Sequence, residues 1–344
     1  MWIIGCDMHA RFQQIAALNT ETGELVERRL EHQGGEAQSF YESLSGPVRV
    51  GMEASVGARW FEKLLTTLGH ELWIGNASEI RAAVVRQQKT DARDAAHLLR
   101  LLLEGRFPRV WIPSLEERDV RQLLLHRNRL VRMRTALRNQ LSAVARSHGL
   151  DRKRKLWNEE GRQQLNALPL DRWAAVRRHD LTSLLDSLET RIMALSEEIK
   201  AEAERRPQAV WLMTHPGVGP ITALGFVLTL GPIERFSRSK QVVSYLGLNP
   251  REYSSGGNQR LGSISKQGNK LARWLLVEAA QTAARYDLQL HRLYVRLKLR
   301  RGSKIAKIAV ARKLAVRLYW MLRSPDAVAQ RVSTQGSPRR NLVA

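Results

Sequence analysis

Asp91 and Asp94 stand three residues apart at the opening turn of an apolar run, Ala95 to Leu103. A helix there sets both carboxylates on one face. Two like charges held that close repel, and the positive end of the helix dipole offsets only part of the repulsion; a divalent cation offsets far more. Acidic residues are also ordinary in first turns, and most such pairs are solvated caps, so the pair alone reads first as a cap. Two further carboxylates close short apolar runs: Asp7 after Trp2 to Cys6, and Glu53 after the alternating Val48, Val50 and Met52. Four carboxylates brought together would raise one another's proton affinity unless Mg²⁺ or Mn²⁺ neutralised them. Two such ions activate the attacking oxygen and stabilise the leaving oxygen of a phosphodiester displacement. Each acid singly is an ordinary strand-end or cap residue, and only the set of four points to chemistry.

The elements that must position them follow from apolar periodicity. Trp2 to Cys6 reads as a buried strand. Gln13 to Leu18 and Leu25 to Leu30 flank the turn-rich Asn19-Thr20-Glu21-Thr22-Gly23-Glu24, so the first three strands form an antiparallel meander. A helix from Glu36 to Leu44, a fourth strand ending on Glu53 and a helix Trp60 to Leu68 stopped by Gly69 come next. Glu71 to Ile74 is a fifth strand, and Ser78 caps a helix through Val85. Three strands, helix, strand, helix, strand, helix is the order of a ribonuclease-H-like (RuvC-like) core. In it Asp7 ends the first strand, Glu53 the fourth, and Asp91 with Asp94 opens the closing helix.

The charge lies elsewhere. Up to Gly105 the chain has eleven Lys and Arg against fourteen Asp and Glu, whereas the whole chain has a net charge of +23. A near-neutral front carrying the carboxylates is followed by a strongly basic body, which implies a polyanionic partner, nucleic acid before membrane. After Pro108 and Pro113 the pattern turns helical. Ser114 and Glu117 make a capping box for a helix that runs to His148, about 50 Å long. Its polar face carries Arg121, Arg127, Arg134 and Arg138 among other arginines, a phosphate-contacting face or a solvated one. Asp151 to Trp173 is basic and irregular. Leu181, Leu185, Leu188, Ile192, Leu195 and Ile199 form a heptad seam that packs back on the preceding helix or serves assembly between subunits.

Thr214 to Pro220 places Gly217 and Gly219 in a short turn between apolar helices, as in helix-hairpin-helix elements that grip a phosphate through backbone N–H groups; any tight turn between helices also favours glycine. Asn249 to Gly262 is a polar, glycine-rich loop or ribbon too long for a plain turn, and loops on rigid supports often carry function. Lys89, Arg251, Arg260, Lys266, Lys270 and Arg273 complete the candidate nucleic-acid contacts. A helix from Asn269 to Ala284, a final helix from Lys304 to Leu322 and a polar tail, residues 324–344, close the chain. The expected division is 1–105, a RuvC-like domain; 106–205, a helical coiled-coil segment; 206–323, a mainly helical domain; and 324–344, a disordered basic tail. Cys6 is the only cysteine, which excludes an internal disulfide framework and a cysteine-ligated zinc site. With no apolar stretch of membrane-spanning length, a soluble protein of the reducing cytoplasm is expected.

Gly5-Cys6-Asp7, Gly51-Met52-Glu53-Ala54, Lys89-Thr90-Asp91 with Asp94-Ala95, Pro216-Gly217-Val218-Gly219, and Asn249-Pro250-Arg251 leading into Ser255-Gly256 together resemble the bridge-RNA-guided insertion-sequence transposases, a family that includes the Piv-type DNA invertases. The likeness spans residues 2–322 in the family's order. It implies an Asp-Glu-Asp-Asp tetrad at Asp7, Glu53, Asp91 and Asp94 that holds Mg²⁺ or Mn²⁺, and a serine nucleophile at Ser255 or its neighbour Ser254. Gly257-Asn258 departs from the serine-richer loop of the family. The resemblance further implies target and donor DNA, a structured noncoding guide RNA, and an assembly from dimer to tetramer in which the tetrad of one subunit meets the serine of another. A serine suits strand exchange because its phosphoserine ester conserves the phosphodiester bond that water would lose. Two other readings are a RuvC-like endonuclease that hydrolyses branched DNA with water, and a nucleic-acid-packaging protein with a relic nuclease fold.

Overall fold

The computed structural model describes residues 1–54, 59–83, 90–254, 258 and 260–324. The chain divides into two compact units, Met1–Ile112 and Pro113–Ala344. In the first, β1 (Trp2–Met8), β2 (Phe12–Asn19) and β3 (Leu25–Glu31) form the antiparallel meander. α1 (Glu36–Ser43), β4 (Val48–Glu53), α2 (Arg59–Thr67), β5 (Glu71–Gly75), α3 (Ala77–Ala82) and α4 (Asp91–Leu103) follow. The sheet order is β3-β2-β1-β4-β5, with β4 parallel to both β1 and β5. This is the mixed sheet expected of a ribonuclease-H-like core. The helix α3 is capped by Asn76, whose side chain accepts from Ser78 N, rather than by Ser78 itself.

Strand alternation decides which side chains meet which helix. Trp2, Ile4 and Cys6 of β1, with Val48, Val50 and Met52 of β4, are buried in one cluster with Tyr41 of α1 and Phe61 of α2. The opposite face receives α4, whose Ala95 and Leu99 lie against Ala16 and Ile3. Gly5 makes that contact close. A Cβ there would stand 2.2 Å from Ala95 O and 2.4 Å from Leu99 N, so only a residue without a side chain lets α4 lie directly on β1. Gly51 faces the same helix, where a Cβ would meet Leu102. Asp7 and Glu53 are each two residues further along their strands, and so share the α4 face.

Among its described residues the second unit is helical apart from one ribbon: α5 (Leu115–Ser147), α6 (Glu159–Ala167), α7 (Arg172–Glu204), α8 (Pro207–Met213), α9 (Pro220–Leu230), α10 (Ser239–Tyr245), β6 (Pro250–Glu252), β7 (Leu261–Ile264), α11 (Lys270–Tyr286), α12 (Leu288–Arg301) and α13 (Ser303–Arg323). The Ser114–Glu117 capping box is present in both directions at the start of α5. α7 packs along α5 as a hairpin, with Leu185, Ile192 and Ile199, one per heptad, buried at the seam. Leu124, Ile199 and Ala203 join Leu224, Phe226, Leu276, Leu314 and Leu318 in one core, so the hairpin and the C-terminal helices are continuous. Two helices lie where none was expected. α6 falls inside the irregular stretch, capped by Asn158, and α12 precedes the last helix. Residues 325–344, the tail, are outside the described residues. Among the described residues no helix is long and apolar enough to cross a membrane.

Candidate metal centre and nucleic-acid surfaces

The C-terminal end of β1 and the first turn of α4 bring three donors together. Ligand atoms of Asp7, His9 and Asp91 all lie within 4.8 Å of one another. His9 Nε2 is 3.1 Å from Asp7 Oδ2 and 3.5 Å from Asp91 Oδ2. Local structure holds each in place. Asp7 is fixed by strand pairing with Gln14. Asp91 is set by the N-cap of α4, where Thr90 accepts from Arg93 N. The His9 ring stacks on Phe12 at 4.5 Å between centroids, and the Arg29 guanidinium covers that same phenyl ring at 3.7 Å. This His–Phe–Arg stack orients an imidazole that lies beyond the end of its strand.

Burial raises the Asp7 carboxyl above its ordinary range; His9 works against that, and the charges of Asp94 and Asp91 add to it. Among the described residues Asp7 therefore sits amid the negative charge of Asp94 and Asp91 with His9 opposing it, the condition in which a carboxylate set takes up a divalent cation. Two carboxylates and an imidazole suit Mn²⁺ or Mg²⁺ with further oxygen ligands, the imidazole favouring the former. The donor set fits such an ion. Asp94 acts on Asp7 through its charge and stands outside the three-donor group. Glu53 is on the same face, one strand over, but its carboxylate accepts from Arg81 of α3 at 3.0 Å. Of the four expected carboxylates, Asp7 and Asp91 share a three-donor group with His9, Asp94 adds its charge nearby, and Glu53 is in an ion pair with Arg81. His9 is the residue that sequence reading missed. Its signal was the Asp7-x-His9 spacing, which keeps both side chains on one side of an extended chain. Cys6 points to the other face, where complete burial pushes its thiol far above the ordinary range and leaves it inert.

In the second unit the arginines of α5 divide by face. Arg121, Arg127, Arg134 and Arg138 are half-buried rather than presented to solvent. Arg121 Nη2 donates to Leu228 O, Arg127 Nε donates to Ser196 Oγ at 2.8 Å, and Arg138 bridges to Glu189 while lying over Trp157. Burial holds Arg121, Arg127 and Arg134 below the usual guanidinium value. Arg121, Arg127 and Arg138 thus spend donors inside the protein beside the apolar seam, and the phosphate-contacting face expected of this helix stands as a proposal for the donors that remain. Gly217 likewise has a packing role. Its φ is +86°, and a Cβ would stand 2.4 Å from Ala283 N of α11. Gly219 N-caps α9, with open space at its Cα.

Arg251, Arg260, Lys266 and Lys270 are exposed around the β6–β7 ribbon. Arg273 instead donates to Leu246 O and Gln267 O, holding the base of that ribbon. Ser254 donates to Glu252 Oε1 at 2.6 Å and accepts from Arg260 N. Ser255 and Lys89 lie outside the described residues.

With this geometry in hand, the likenesses to known proteins fall into place. Residues 4–148 match the DEDD transposase family model, and residues 209–296 match the transposase model of the IS116/IS110/IS902 family. A probable family 20 transposase of Pseudomonas aeruginosa is 30% identical over 94% of this chain and 97% of its own. The transposase of insertion sequence element IS1111A from Coxiella burnetii is 29% identical over 93% of this chain and 89% of its own. The transposase of insertion sequence element IS1328 from Yersinia enterocolitica is 29% identical over 82% and 85%. An acidic centre on a mixed sheet, a basic helical body and near full-length similarity to these transposases agree: the chain belongs to the IS110/IS116/IS902 family of insertion-sequence transposases.

Proposed function

We propose that this transposase cuts and rejoins DNA strands by metal-assisted transesterification, with Asp7, His9 and Asp91 holding the ion and Ser255 attacking phosphorus. The observation that carries the reading is the three-donor group, with ligand atoms within 4.8 Å, at the strand end where Asp94 adds further negative charge. A divalent cation bound there neutralises phosphodiester charge and lowers the proton affinity of an attacking hydroxyl. Asp7 and Asp91 contribute the anionic oxygens. His9 contributes the Nε2 lone pair when its proton sits on Nδ1, and stacking on Phe12 keeps that nitrogen turned toward Asp7. Glu53, paired with Arg81, would be the next carboxylate on that face available to hold such an ion.

Ser255 Oγ forms the new bond to phosphorus as the bond to the 3′ oxygen breaks, and that oxygen leaves with a proton. A DNA hydroxyl later attacks the phosphoserine ester and restores the serine, so no external energy source is needed. Ser255 is favoured over Ser254 because the Ser254 hydroxyl is already committed to Glu252 and Arg260 within the ribbon. The likeness to bridge-RNA-guided transposases and the basic excess after Gly105 support a structured guide RNA that selects donor and target by pairing, leaving the protein to bind backbone. In this reading Ser255 serves the acidic centre of another subunit in a dimer or tetramer.

The test combines purified protein, the RNA that copurifies with it, donor and target DNA, and Mn²⁺, and scores the covalent protein–DNA adduct on a denaturing gel. Ser255→Ala should abolish the adduct, and Ser254→Ala should retain it. An adduct that persists in Ser255→Ala refutes the nucleophile. Cutting without any adduct in the wild-type protein indicates the hydrolytic RuvC-like endonuclease instead.

A further inference from the structure

From Leu288 to Arg323 the chain has eleven Lys and Arg and no Asp or Glu. This segment is the α12–α13 pair, joined at Gly302. One side of the pair is bound into the core through Leu290, Val310, Leu314 and Leu318. Elsewhere, a cavity of about 450 Å³ opens between α11, α12 and α13, a size typical of ligand pockets. Tyr294, Val295 and Leu299 give it apolar walls, and Arg285, Lys298 and Lys307 set cations around them. Val295 is 39% and Leu299 83% exposed.

The two features constrain the occupant. Apolar side chains grouped on a surface lower their free energy when covered. A segment with eleven cations and no acid repels a second copy of itself and attracts a polyanion. A duplex meets only half of this description, because its base faces are stacked inside and cannot reach Leu299. An unpaired strand meets both, since each base offers an apolar face beside an anionic phosphate.

We propose that the α11–α13 groove binds an unpaired segment of nucleic acid, its bases against Tyr294, Val295 and Leu299 and its phosphates on Arg285, Lys298 and Lys307. The surface rests on the reading that this chain handles nucleic acid, and owes nothing to the acidic centre or to Ser255. The occupant is an unpaired strand of DNA, the nucleic acid that the transposase family handles; an RNA loop offers similar contacts and is separated from it by the test.

The test is fluorescence anisotropy with the full chain in EDTA, where no strand is cut, using oligo-dT, oligo-U and a blunt DNA duplex. Replacing Val295 and Leu299 together by serine should weaken oligo-dT by roughly tenfold and leave the duplex unchanged; a loss confined to oligo-U assigns the groove to RNA and overturns the DNA strand. Both positions are exposed, and a thermal melt checks folding. Lys298→Gln with Lys307→Gln should reduce the slope of log K against log salt for single strands by about 1.4. Equal loss for duplex and single strands in the serine variant, an unchanged salt slope in the glutamine variant, or a change in sedimentation without a change in binding each overturns the proposal. Such a failure leaves the adduct assay untouched, and loss of the adduct in Ser255→Ala leaves this binding untouched.

Discussion

Gly5→Ala moves the acidic centre without touching any of its donors. The added methyl would stand 2.2 Å from Ala95 O and 2.4 Å from Leu99 N. Both atoms are helix backbone, so no rotamer change relieves the contact, and α4 must retreat by about 1 Å to restore ordinary van der Waals separation. Overpacking of this kind costs about 1 to 3 kcal/mol, and the upper end applies because Ala95, Leu98, Leu99 and Leu102 all lose fit together. Asp91, in the first turn of α4, moves with the helix. Its 3.5 Å approach to His9 then opens, and a site that must hold metal–oxygen distances near 2.1 Å loses affinity. The assay is urea unfolding of the full chain with and without Mn²⁺. The wild type should gain about 2.7 kcal/mol at a hundredfold excess of metal over its dissociation constant; Gly5→Ala should start about 2 to 3 kcal/mol lower and gain little. A variant with an unchanged midpoint and the same gain from Mn²⁺ would refute both the packing argument and the placement of Asp91.

Glu189 accepts from Arg138 of α5 and Arg162 of α6, and its side chain is 24% exposed. Glu189→Ala leaves the half-buried Arg138 without its acid, while Arg162 keeps Asp186, and should cost about 2 kcal/mol in urea unfolding, the partial burial discounting the larger penalty of a fully buried pair; a loss below a few tenths would contradict an internal role for this network. His215 is held below the ordinary imidazole value of 6.5 by burial, with Arg317 adding to the effect and the Pro216 carbonyl and Asp287 opposing it. The folded chain therefore holds the His215 proton less tightly than the unfolded chain, and unfolding takes up a proton as the pH falls through 6.5. Stability should decline from that pH downward, and His215→Gln should flatten the decline; an identical slope in both proteins would refute it.

The first unit was legible because its elements repeat simple periods. β1 and β4 alternate or run apolar to a terminal acid, α4 keeps a 3.6-residue stripe behind Asp91, and the element order admits one familiar topology. His9 escaped because the apolar run ends at Cys6, whereas the strand continues to Met8 and carries His9 past its end. The internal partners of the α5 arginines were not legible for a physical reason. A helix face of one charge sign looks solvated or phosphate-bound in sequence, yet long arginine stems pack beside an apolar seam and carry their heads to Ser196, Leu228 O or Glu189. α12 was missed because its leucines fall at nearly every second or third position, and Leu290 alone is buried, so no clean stripe forms. α6 was hidden by Gly161 in its first turn, where a Cβ would meet Lys155 O. The glycines of the 214–220 turn were visible, but which neighbour Gly217 admits depends on α11, more than fifty residues later.

The central claim is that Asp7, His9 and Asp91 hold one divalent ion. Pulsed EPR of Mn²⁺ added to the full chain tests it directly, because a coordinated imidazole nitrogen couples to the electron spin. The wild type should bind one tight Mn²⁺ with a nitrogen coupling, His9→Ala should bind more weakly with that coupling lost, and Asp91→Asn should abolish tight binding. Tight Mn²⁺ binding without nitrogen coupling in the wild type, or binding that survives Asp91→Asn unchanged, would place the ion elsewhere and contradict the account.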